Sequence, residues 1–412
     1  MQLFESKETR YQIRVFTALV LIGFFARLSY SMARTPILPL FARALGATPA
    51  IIGQIVGIST VTGIFFKAPA GALSDIYGRR SSLLASTVIF GLMPFTYLLV
   101  NDYHILFLIR FLHGFATAIY GPVAMAVIID ISGERKGQWT STFSSISTIG
   151  GLISAPLGGG LLYLMGGLEP EPPVFRFIYL IIGCIGSLSL ILVIASWNYL
   201  PSKASSHPPT LRTVIDKFRK DLVTLLKDTQ VLLTSSMEAV QNLTVGALEA
   251  FLPYYMNIML GLSSFHAGVV WSTQLLTLIM LRPLMGRLSD THGRKPFITV
   301  GMLLCAVSFV LYPLTSSLLT LFFLTVIFGL GEAMVTSSTV AMVAEQSQAR
   351  GYGTSMGVFG SLWDIGHASG PIATGILIET LGYGPSFGVI STTLILATIF
   401  FQILVRETRR QK

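Results

Sequence analysis

The sequence predicts an all-α, polytopic membrane protein with twelve transmembrane helices in two pseudo-symmetric six-helix bundles. Three observations predict this fold: a low content of charged residues, about a dozen long apolar runs, and a repeat that relates the two halves of the chain. Of 412 residues, 52% are hydrophobic and 11% are charged, whereas a soluble globular protein is ~25% charged. The chain therefore has too few charges to cover a surface that faces water.

Apolar runs that can cross a bilayer recur along the whole chain. IRVFTALVLIGFFARLSYSM, SSLLASTVIFGLMPFTYLLV and FIYLIIGCIGSLSLILVIASW each reach the ~20 residues that span ~30 Å of hydrocarbon as a helix. We expect spans at 12–40, 50–73, 82–100, 104–130, 139–165 and 174–200. A second set is expected at 229–259, 264–288, 297–315, 318–345, 352–380 and 384–405.

Lysine and arginine are concentrated in alternate loops, which predicts the orientation. The basic loops include Arg79 and Arg80, residues 203–227, Arg294 and Lys295, and residues 406–412, whereas the intervening loops contain few cations. Because such loops remain in the cytoplasm, we expect a multi-pass protein of the cell membrane with both termini cytoplasmic. This distribution, rather than nucleic-acid binding, accounts for the net charge of +9.

Other features of the sequence predict neither a cofactor nor a metal. Cys184 and Cys305 lie in separate apolar runs, with no metal-ligand spacing and no disulfide framework. The charged N-terminus runs directly into a full-length span, which does not resemble a cleaved signal peptide. No activated nucleophile is apparent, so an enzyme is not expected.

An internal repeat relates the two halves. GALSDIYGRR begins at Gly71 and GRLSDTHGRK begins at Gly286, a shift of 215 residues that also relates Gly53 to Gly268 and Pro156 to Pro371. A gap-free shift across several spans indicates a duplicated unit of six helices, and an even number of spans makes the repeat parallel. We divide the chain into an N-terminal bundle (1–200), a cytoplasmic linker (201–228) and a C-terminal bundle (229–412). In the linker, an amphipathic basic helix on the membrane surface and a plain connector both remain open.

With these motifs the sequence resembles the major facilitator superfamily over nearly its whole length. Both loops match the family signature G-x-L-x-D-x-x-G-R-[RK]. The resemblance implies two bundles that rock about a central cavity, lined mostly by the first, fourth, seventh and tenth spans. It also implies a latch of charges that forms in one conformation and breaks in the other; a simple topology anchor is the alternative. The latch residues would be Gly71, Asp75, Gly78, Arg79, Arg80, Asp130, Asp290, Arg294 and Glu345. We expect Gly71 and Gly78 to allow close helix packing and a sharp turn.

Charged and polar residues inside the spans are the candidates for proton coupling or substrate binding, because an intramembrane charge persists where it lines a cavity or has a partner. Arg27 and Arg34 share one face of the first span, and the equivalent seventh-span positions are Asn242 and Glu249. Glu238 is four residues before Asn242 and shares that face. The candidate set is Arg27, Arg34, Arg110, His113, Glu238, Asn242, Glu249, Glu332, Asp364 and His367. Arg27, Glu332 and Asp364 lie closest to mid-membrane. For Lys67 and Arg282, near the inner ends of their spans, we expect side chains that snorkel to water.

Two further resemblances bear on the direction of transport. GGLISAPLGGGLL is similar to the fifth-span pattern G-x-x-x-G-P-x-x-G-G of drug/proton antiporters, with Ala155 in place of one glycine, and the eleventh span contains Gly366, Gly370 and Pro371 as G-x-x-x-G-P. A buried carboxyl favours its neutral form and a nearby cation favours its charged form. Proton uptake by Glu332 or Asp364 is therefore expected to depend on the arrival or departure of a partner charge.

We expect a secondary active transporter that works by alternating access and exports small amphipathic or hydrophobic compounds in exchange for protons. Its partners would be a small-molecule substrate, protons and the lipid bilayer, with no nucleic acid, and we expect a monomer. A carrier of organic anions or lipid headgroups that uses Arg27, Arg34 and Arg110 is the alternative. A membrane receptor that binds a ligand without moving it is the remote alternative.

Overall fold

The computed structural model describes residues 7–202, 213, 216, 228–347 and 352–407. Within them the chain forms thirteen α-helices and three short 3₁₀ turns, and no strand. The helices are α1 (Lys7–Met32), α2 (Ile37–Ala44), α3 (Pro49–Tyr77), α4 (Arg79–Thr96), α5 (Tyr103–Ile131), α6 (Lys136–Gly166), α7 (Pro172–Ala195), α8 (Thr229–Ile258), α9 (Ser264–His292), α10 (Arg294–Leu311), α11 (Leu318–Gln346), α12 (Tyr352–Leu381) and α13 (Tyr383–Leu404). The amphipathic linker helix predicted within 201–228 lies almost entirely outside the described residues.

The helices match the predicted spans closely, apart from the first. Ten segments of the described chain are long and apolar enough to cross a membrane. The two further long helices, α8 and α12, contain Glu238, Asn242 and Glu249, and Asp364 and His367, which lower their mean hydropathy. The predicted span 12–40 is two helices, α1 and α2, separated by the turn Ala33–Pro36. Proline has no backbone N–H to donate, so Pro36 precedes a new helix rather than continuing the old one.

A single glycine separates the second span from the third and the eighth from the ninth. Gly78 has φ +90° and Gly293 has φ +97°, a conformation that residues with a Cβ rarely adopt. The sharp turn expected at Gly78 is therefore confirmed. The expected close packing at Gly71 is wrong, because a Cβ there would lie 3.7 Å from Pro122 Cβ, an ordinary contact.

Each half of the molecule is a six-helix bundle with its own apolar core. In the first half, Leu19, Phe90, Val123 and Phe143 are buried between α1, α4, α5 and α6. The largest core cluster, which includes Phe251, Phe309 and Phe328, fills the second half and extends to the first at the ends of the helices. The main contacts between the halves are those of α3 with α12 and of α6 with α9, and α8 makes smaller contacts with α2 and α3.

The halves touch at one end of the molecule and diverge toward the other. We call the end that carries the two signature loops, Gly71–Arg80 and Gly286–Lys295, the basic end. Near the opposite end, glycines of one half pack directly against the backbone of the other half. A Cβ on Gly53 would stand 2.1 Å from Pro371 O, and a Cβ on Gly268 would stand 2.2 Å from Ala155 O, so neither position has room for a side chain. Further along α3 and toward the basic end, the three atoms nearest to a Cβ on Gly63 would all belong to the side chain of Lys67, on the same helix. The structure therefore leaves space between the halves toward the basic end.

Candidate substrate cavity

A cavity of ≈ 250 Å³ lies between the two halves. It is lined mainly by α1 and the turn after it, α3, α8, α9 and α12, with Gly151 and Ser154 from α6. The fourth and tenth spans, α5 and α11, contribute one residue each, Thr117 and Glu332. The expectation that these two spans line much of the cavity is therefore wrong for this conformation. The ionisable residues on its wall are Arg27, Arg34, Lys67, Glu249, Glu332, Asp364 and His367.

Arg34 and Glu249 form an ion pair between the halves. Arg34 lies in the turn between α1 and α2, and its Nη2 is 2.9 Å from Glu249 Oε2 on α8. Thr35 Oγ1 donates to Glu249 Oε1 at 3.1 Å, and Arg34 Nη2 lies 3.4 Å from His367 Nδ1 on α12. The side chains of Arg34 and Glu249 are 11% and 10% exposed, so the pair is largely shielded from solvent.

Lys67 and Asp364 form a second ion pair between the halves. Lys67 Nζ on α3 lies 2.7 Å from Asp364 Oδ1 and 2.5 Å from Oδ2 on α12. This corrects the expectation that Lys67 snorkels away from the spans. The long apolar stem of a lysine lets its ammonium group reach a carboxylate on the neighbouring helix.

Arg27 and Glu332 also face the cavity, and neither forms an ion pair with any described residue. Arg27 is an exposed residue on the cavity wall, with its Nε 3.5 Å from the position that a Cβ on Gly151 would take. Glu332 on α11 is 6% exposed, and Gln274 on α9 donates to its Oε2 at 2.7 Å. The three mid-membrane candidates, Arg27, Glu332 and Asp364, therefore lie on one cavity.

Arg110 and His113 lie inside the first half, away from the cavity wall. Both are fully buried. The Arg110 guanidinium stands 4.8 Å from the centroid of the Tyr30 ring, a favourable cation–π geometry, and its three nitrogens have no hydrogen-bond partner among the described residues. Tyr97 Oη lies 3.2 Å from His113 Nδ1. The cationic patch of Arg27, Arg34 and Arg110 is therefore not assembled here.

Glu238 and Asn242 lie inside the second half. Asn242 Nδ2 donates to the Glu238 carbonyl at 3.0 Å and to Glu238 Oε1 at 3.2 Å. Thr339 Oγ1 on α11 donates to Glu238 Oε2 at 2.6 Å. Their shared helix face, predicted from the spacing, packs against α11 instead of facing the cavity. For Glu238, Asn242, Arg110 and His113, a role in proton coupling or substrate binding remains a prediction.

The signature loops form matched clusters at the basic end, each within its own half. Arg79 Nη2 lies 2.7 Å from Asp75 Oδ1, and Arg79 Nε lies 3.5 Å from Asp130 Oδ2. In the second half, Arg294 pairs with Asp290 and lies 3.0 Å from Glu345 Oε1.

Arg80 does not take part in this cluster: it bonds the Trp197 carbonyl at 2.9 Å and stands over the Trp197 ring. Among the described charges, these clusters join helices of one half, so the predicted latch between conformations remains a prediction.

Sequence reasoning missed three contributors to the cavity. Lys67 was expected at the surface, and Thr35 and Gln274 were not considered because a neutral polar side chain on an apolar helix gives no distinctive pattern. Trp271, Trp363 and Tyr30 also line the wall, which hydropathy could not distinguish from lipid-facing aromatics. Within the described chain, no group of three or more His, Cys, Asp or Glu side chains is placed to hold a metal ion.

The sequence pattern of the Major Facilitator Superfamily matches residues 19–271 and 237–412. The chain belongs to this superfamily. An uncharacterized MFS-type transporter of Methanocaldococcus jannaschii is 25% identical over 372 residues, which cover 90% of each chain. The multi-drug resistance efflux pump PmrA of Streptococcus pneumoniae is 24% identical over 391 residues and 92% of each chain. This Major Facilitator Superfamily protein therefore lies near the drug/proton antiporter branch and is a multi-pass membrane transporter.

Solved structures share the fold of this superfamily member. A mutant of the nucleoside transporter NupG superposes with a TM-score of 0.80 at 14% identity, covering 95% of this chain and 100% of that one. A bacterial homolog of the human lysosomal transporter Spinster gives 0.78 at 17% identity, with 95% and 96% covered. At these identities the likeness shows the fold alone, so the substrate must be argued from the cavity residues.

Proposed function

We propose that the protein is a proton-coupled antiporter that exports small amphipathic compounds by alternating access. One observation carries the proposal: of the three carboxylates on the cavity wall, Glu332 alone is held by a neutral amide, whereas Glu249 and Asp364 each pair with a cation. Glu332 can therefore take up a proton without breaking an ion pair. The charged groups that act on Glu332 are Glu238 on α8 and Arg282 on α9.

Alternating access is supported by the distribution of contacts between the halves. The glycine contacts of α3 with α12 and of α6 with α9 close the opposite end, and the space toward the basic end leads to the cavity. If the basic end lies in the cytoplasm, as its arginines and lysines favour, the structure represents a conformation that accepts substrate from inside. Glu332 would then release its proton as substrate binds.

The names of two efflux relatives agree with export of small compounds. Besides PmrA, the multidrug resistance protein MdtG of Escherichia coli is 21% identical over 383 residues, covering 91% of this chain and 90% of that one. The mixed lining of aromatic, apolar and charged side chains suits amphipathic compounds, because pockets of that kind bury apolar area while a few polar groups fix orientation.

The test separates coupling from binding. Purified protein in liposomes is given an imposed pH gradient, and the accumulation of amphipathic probes is compared with their counterflow, in which labelled and unlabelled probe exchange without net proton movement. We expect Glu332→Gln to abolish accumulation but to retain counterflow at a saturating probe concentration, since glutamine mimics the protonated carboxyl and has no proton to exchange. The matched control is Glu171→Gln, at an exposed position between α6 and α7. Accumulation that is insensitive to the gradient in the wild type would refute proton coupling.

Arg27 favours a second candidate, a carrier of organic anions. Its guanidinium faces the cavity without a carboxylate partner in the described chain. If Arg27→Gln abolished transport of an anionic probe and Glu332→Gln left it driven by the gradient, this second function would replace the first.

A further inference from the structure

The cavity charges are divided by sign between the two halves. Its three permanent cations, Arg27, Arg34 and Lys67, all lie on α1 and α3 or the turn that follows α1. Its three carboxylates, Glu249, Glu332 and Asp364, all lie on α8, α11 and α12. A cation on one wall therefore has a carboxylate on the other wall as its natural partner.

Two of the three possible pairs are already formed. Arg34 with Glu249 and Lys67 with Asp364 each join the halves at distances of 2.9 and 2.5 Å. This leaves one cation, Arg27, and one carboxylate, Glu332, on opposite walls and without an ionic partner among the described residues. Glu332 is 6% exposed, and a buried charge is costly unless it is paired. Arg27 is exposed to the cavity and can bind an anion, so the two groups together favour a ligand that supplies both missing charges.

Arg27 and Glu332 line the same cavity, and residues of α6 and α9 lie on the wall between them. The position of a Cβ on Gly151 is 3.5 Å from Arg27 Nε and 3.8 Å from Leu275 Cδ2. The residue before Leu275 is Gln274, which donates to Glu332 at 2.7 Å. One small ligand can therefore approach both groups in the same cavity.

We propose that the cavity binds a zwitterionic amphipath, with the anionic group at Arg27 and the ammonium group at Glu332. The proposal rests on the transport function above and specifies its substrate class. A ligand with a single charge would pair with one wall and leave the other charge unpaired. A zwitterion pairs with both and, like the two ion pairs already present, joins one half to the other.

The remaining wall suits the apolar part of such a ligand. Trp271, Leu275 and Leu278 on α9 and Trp363 on α12 line the cavity, and the Trp363 ring stacks on His367 with centroids 4.9 Å apart. Aromatic faces also attract ammonium groups. At ≈ 250 Å³ the cavity is slightly below the ~300–1,000 Å³ typical of drug-sized sites, which favours a short apolar group over a long chain.

Three matched probes test the head-group requirement. 3-(Benzyldimethylammonio)propanesulfonate is zwitterionic, benzyltrimethylammonium is cationic and benzylsulfonate is anionic, and all three carry the same aromatic group. Their charges do not titrate near neutral pH, so any pH dependence of binding belongs to the protein. Binding to the purified protein in lipid nanodiscs is measured by calorimetry, with Arg27→Gln, Glu332→Gln and the exposed controls Lys136→Gln and Glu171→Gln.

We expect the zwitterion to bind at least tenfold more tightly than either singly charged probe. Arg27→Gln should weaken the zwitterion at least tenfold and leave the cation unchanged, whereas Glu332→Gln should weaken the zwitterion and the cation but not the anion. The surface controls should change nothing. Equal or tighter binding of the cation or the anion, or a zwitterion affinity that survives Arg27→Gln, would overturn the inference.

Failure of this inference and failure of the transport function have different signatures. If the gradient drives the cation and the zwitterion does not bind, proton-coupled transport stands and the substrate class is wrong. If the zwitterion binds with the expected variant pattern but is never accumulated, the binding site stands and the proposed antiport is wrong.

Discussion

Lys67 and Asp364 are 297 positions apart in sequence and form an ion pair across the two halves of the protein, in unequal surroundings. The Lys67 side chain is 42% exposed, whereas that of Asp364 is 4% exposed. An ammonium group on a flexible stem can return to water when its partner is lost. The carboxylate of Asp364 has no such escape, so the two residues should respond differently to substitution.

We expect Lys67→Gln to destabilise the protein more than Asp364→Asn. The first leaves a nearly buried carboxylate without a cation, and the second leaves a cation that can be hydrated. Because Lys67 is partly exposed, the loss should fall below the ~3–5 kcal/mol typical of breaking a fully buried pair. Thermal unfolding in one detergent measures it, and the double variant should recover stability. A larger loss for Asp364→Asn would contradict this account.

Arg34 and Glu249 should be energetically coupled. A double-mutant cycle with Arg34→Gln and Glu249→Gln is expected to give a coupling of ~0.5–3 kcal/mol in thermal stability, because the two groups share an ion pair that is largely shielded from solvent. The matched control replaces Arg34→Gln by Arg176→Gln in the cycle. Arg176 bonds Val100 and Asn101 in its own half, so its effect and that of Glu249→Gln should be additive. Additive effects of Arg34→Gln and Glu249→Gln would show that the contact contributes little.

Gly53→Ala and Gly268→Ala should open the end of the molecule opposite the basic end. Each new Cβ would stand about 2 Å from a carbonyl oxygen of the other half, closer than van der Waals contact permits, so the halves must move apart there. A cost of ~1–3 kcal/mol shifts the population roughly 5- to 150-fold, since 1.4 kcal/mol is a factor of ten.

Spin labels at positions 171 and 259, one on each half, report that opening as a longer distance. Gly121→Ala is the control, because nothing lies within 4 Å of its Cβ position. An unchanged distance distribution in Gly53→Ala and Gly268→Ala would rule out these contacts as a closure.

Glu407 should stabilise the signature loop of the second half. Its carboxylate accepts hydrogen bonds from the backbone N–H groups of Arg294 at 2.9 Å and Lys295 at 3.0 Å, at the N-terminus of α10, where a negative charge is favourable. Glu407→Ala should cost ~0.5–2 kcal/mol of stability, as for other helix caps, and should speed hydrogen exchange at residues 294–297. Glu171→Ala, which removes no side-chain cap, is the control. Unchanged exchange would contradict the capping role.

The sequence predicted the helices well because each depends on local chemistry. Hydropathy located the spans, and the 215-residue shift paired Gly53 with Gly268, which occupy equivalent contacts in the structure. The broken first span was missed, because Pro36 is compatible either with a kinked helix or with a break. Hydropathy alone does not distinguish the two.

The candidate site was predicted only in part. Periodicity placed Arg27 and Arg34 on one helical face; both line the cavity, although Arg34 lies in the turn after α1 rather than on the helix. The same argument placed Glu238, Asn242 and Glu249 on one face of α8. In the structure, Glu249 reaches the cavity while Glu238 bonds Thr339 inside its own half. A shared face is broad, and how a helix is rotated and tilted against its neighbours decides which of its residues meets the cavity.

By itself the sequence determined the membrane fold, the duplicated halves and the opposite signs of their intramembrane charges, because apolar length, repeat spacing and residue type are properties of the linear chain. Only the tertiary structure decided that Arg34 pairs with Glu249, that Lys67 pairs with Asp364, and that Arg27 and Glu332 are left facing one cavity. The physical reason is that an ion pair depends on a separation of a few ångströms between side chains, and for residues hundreds of positions apart that separation is set by the packing of two bundles against each other.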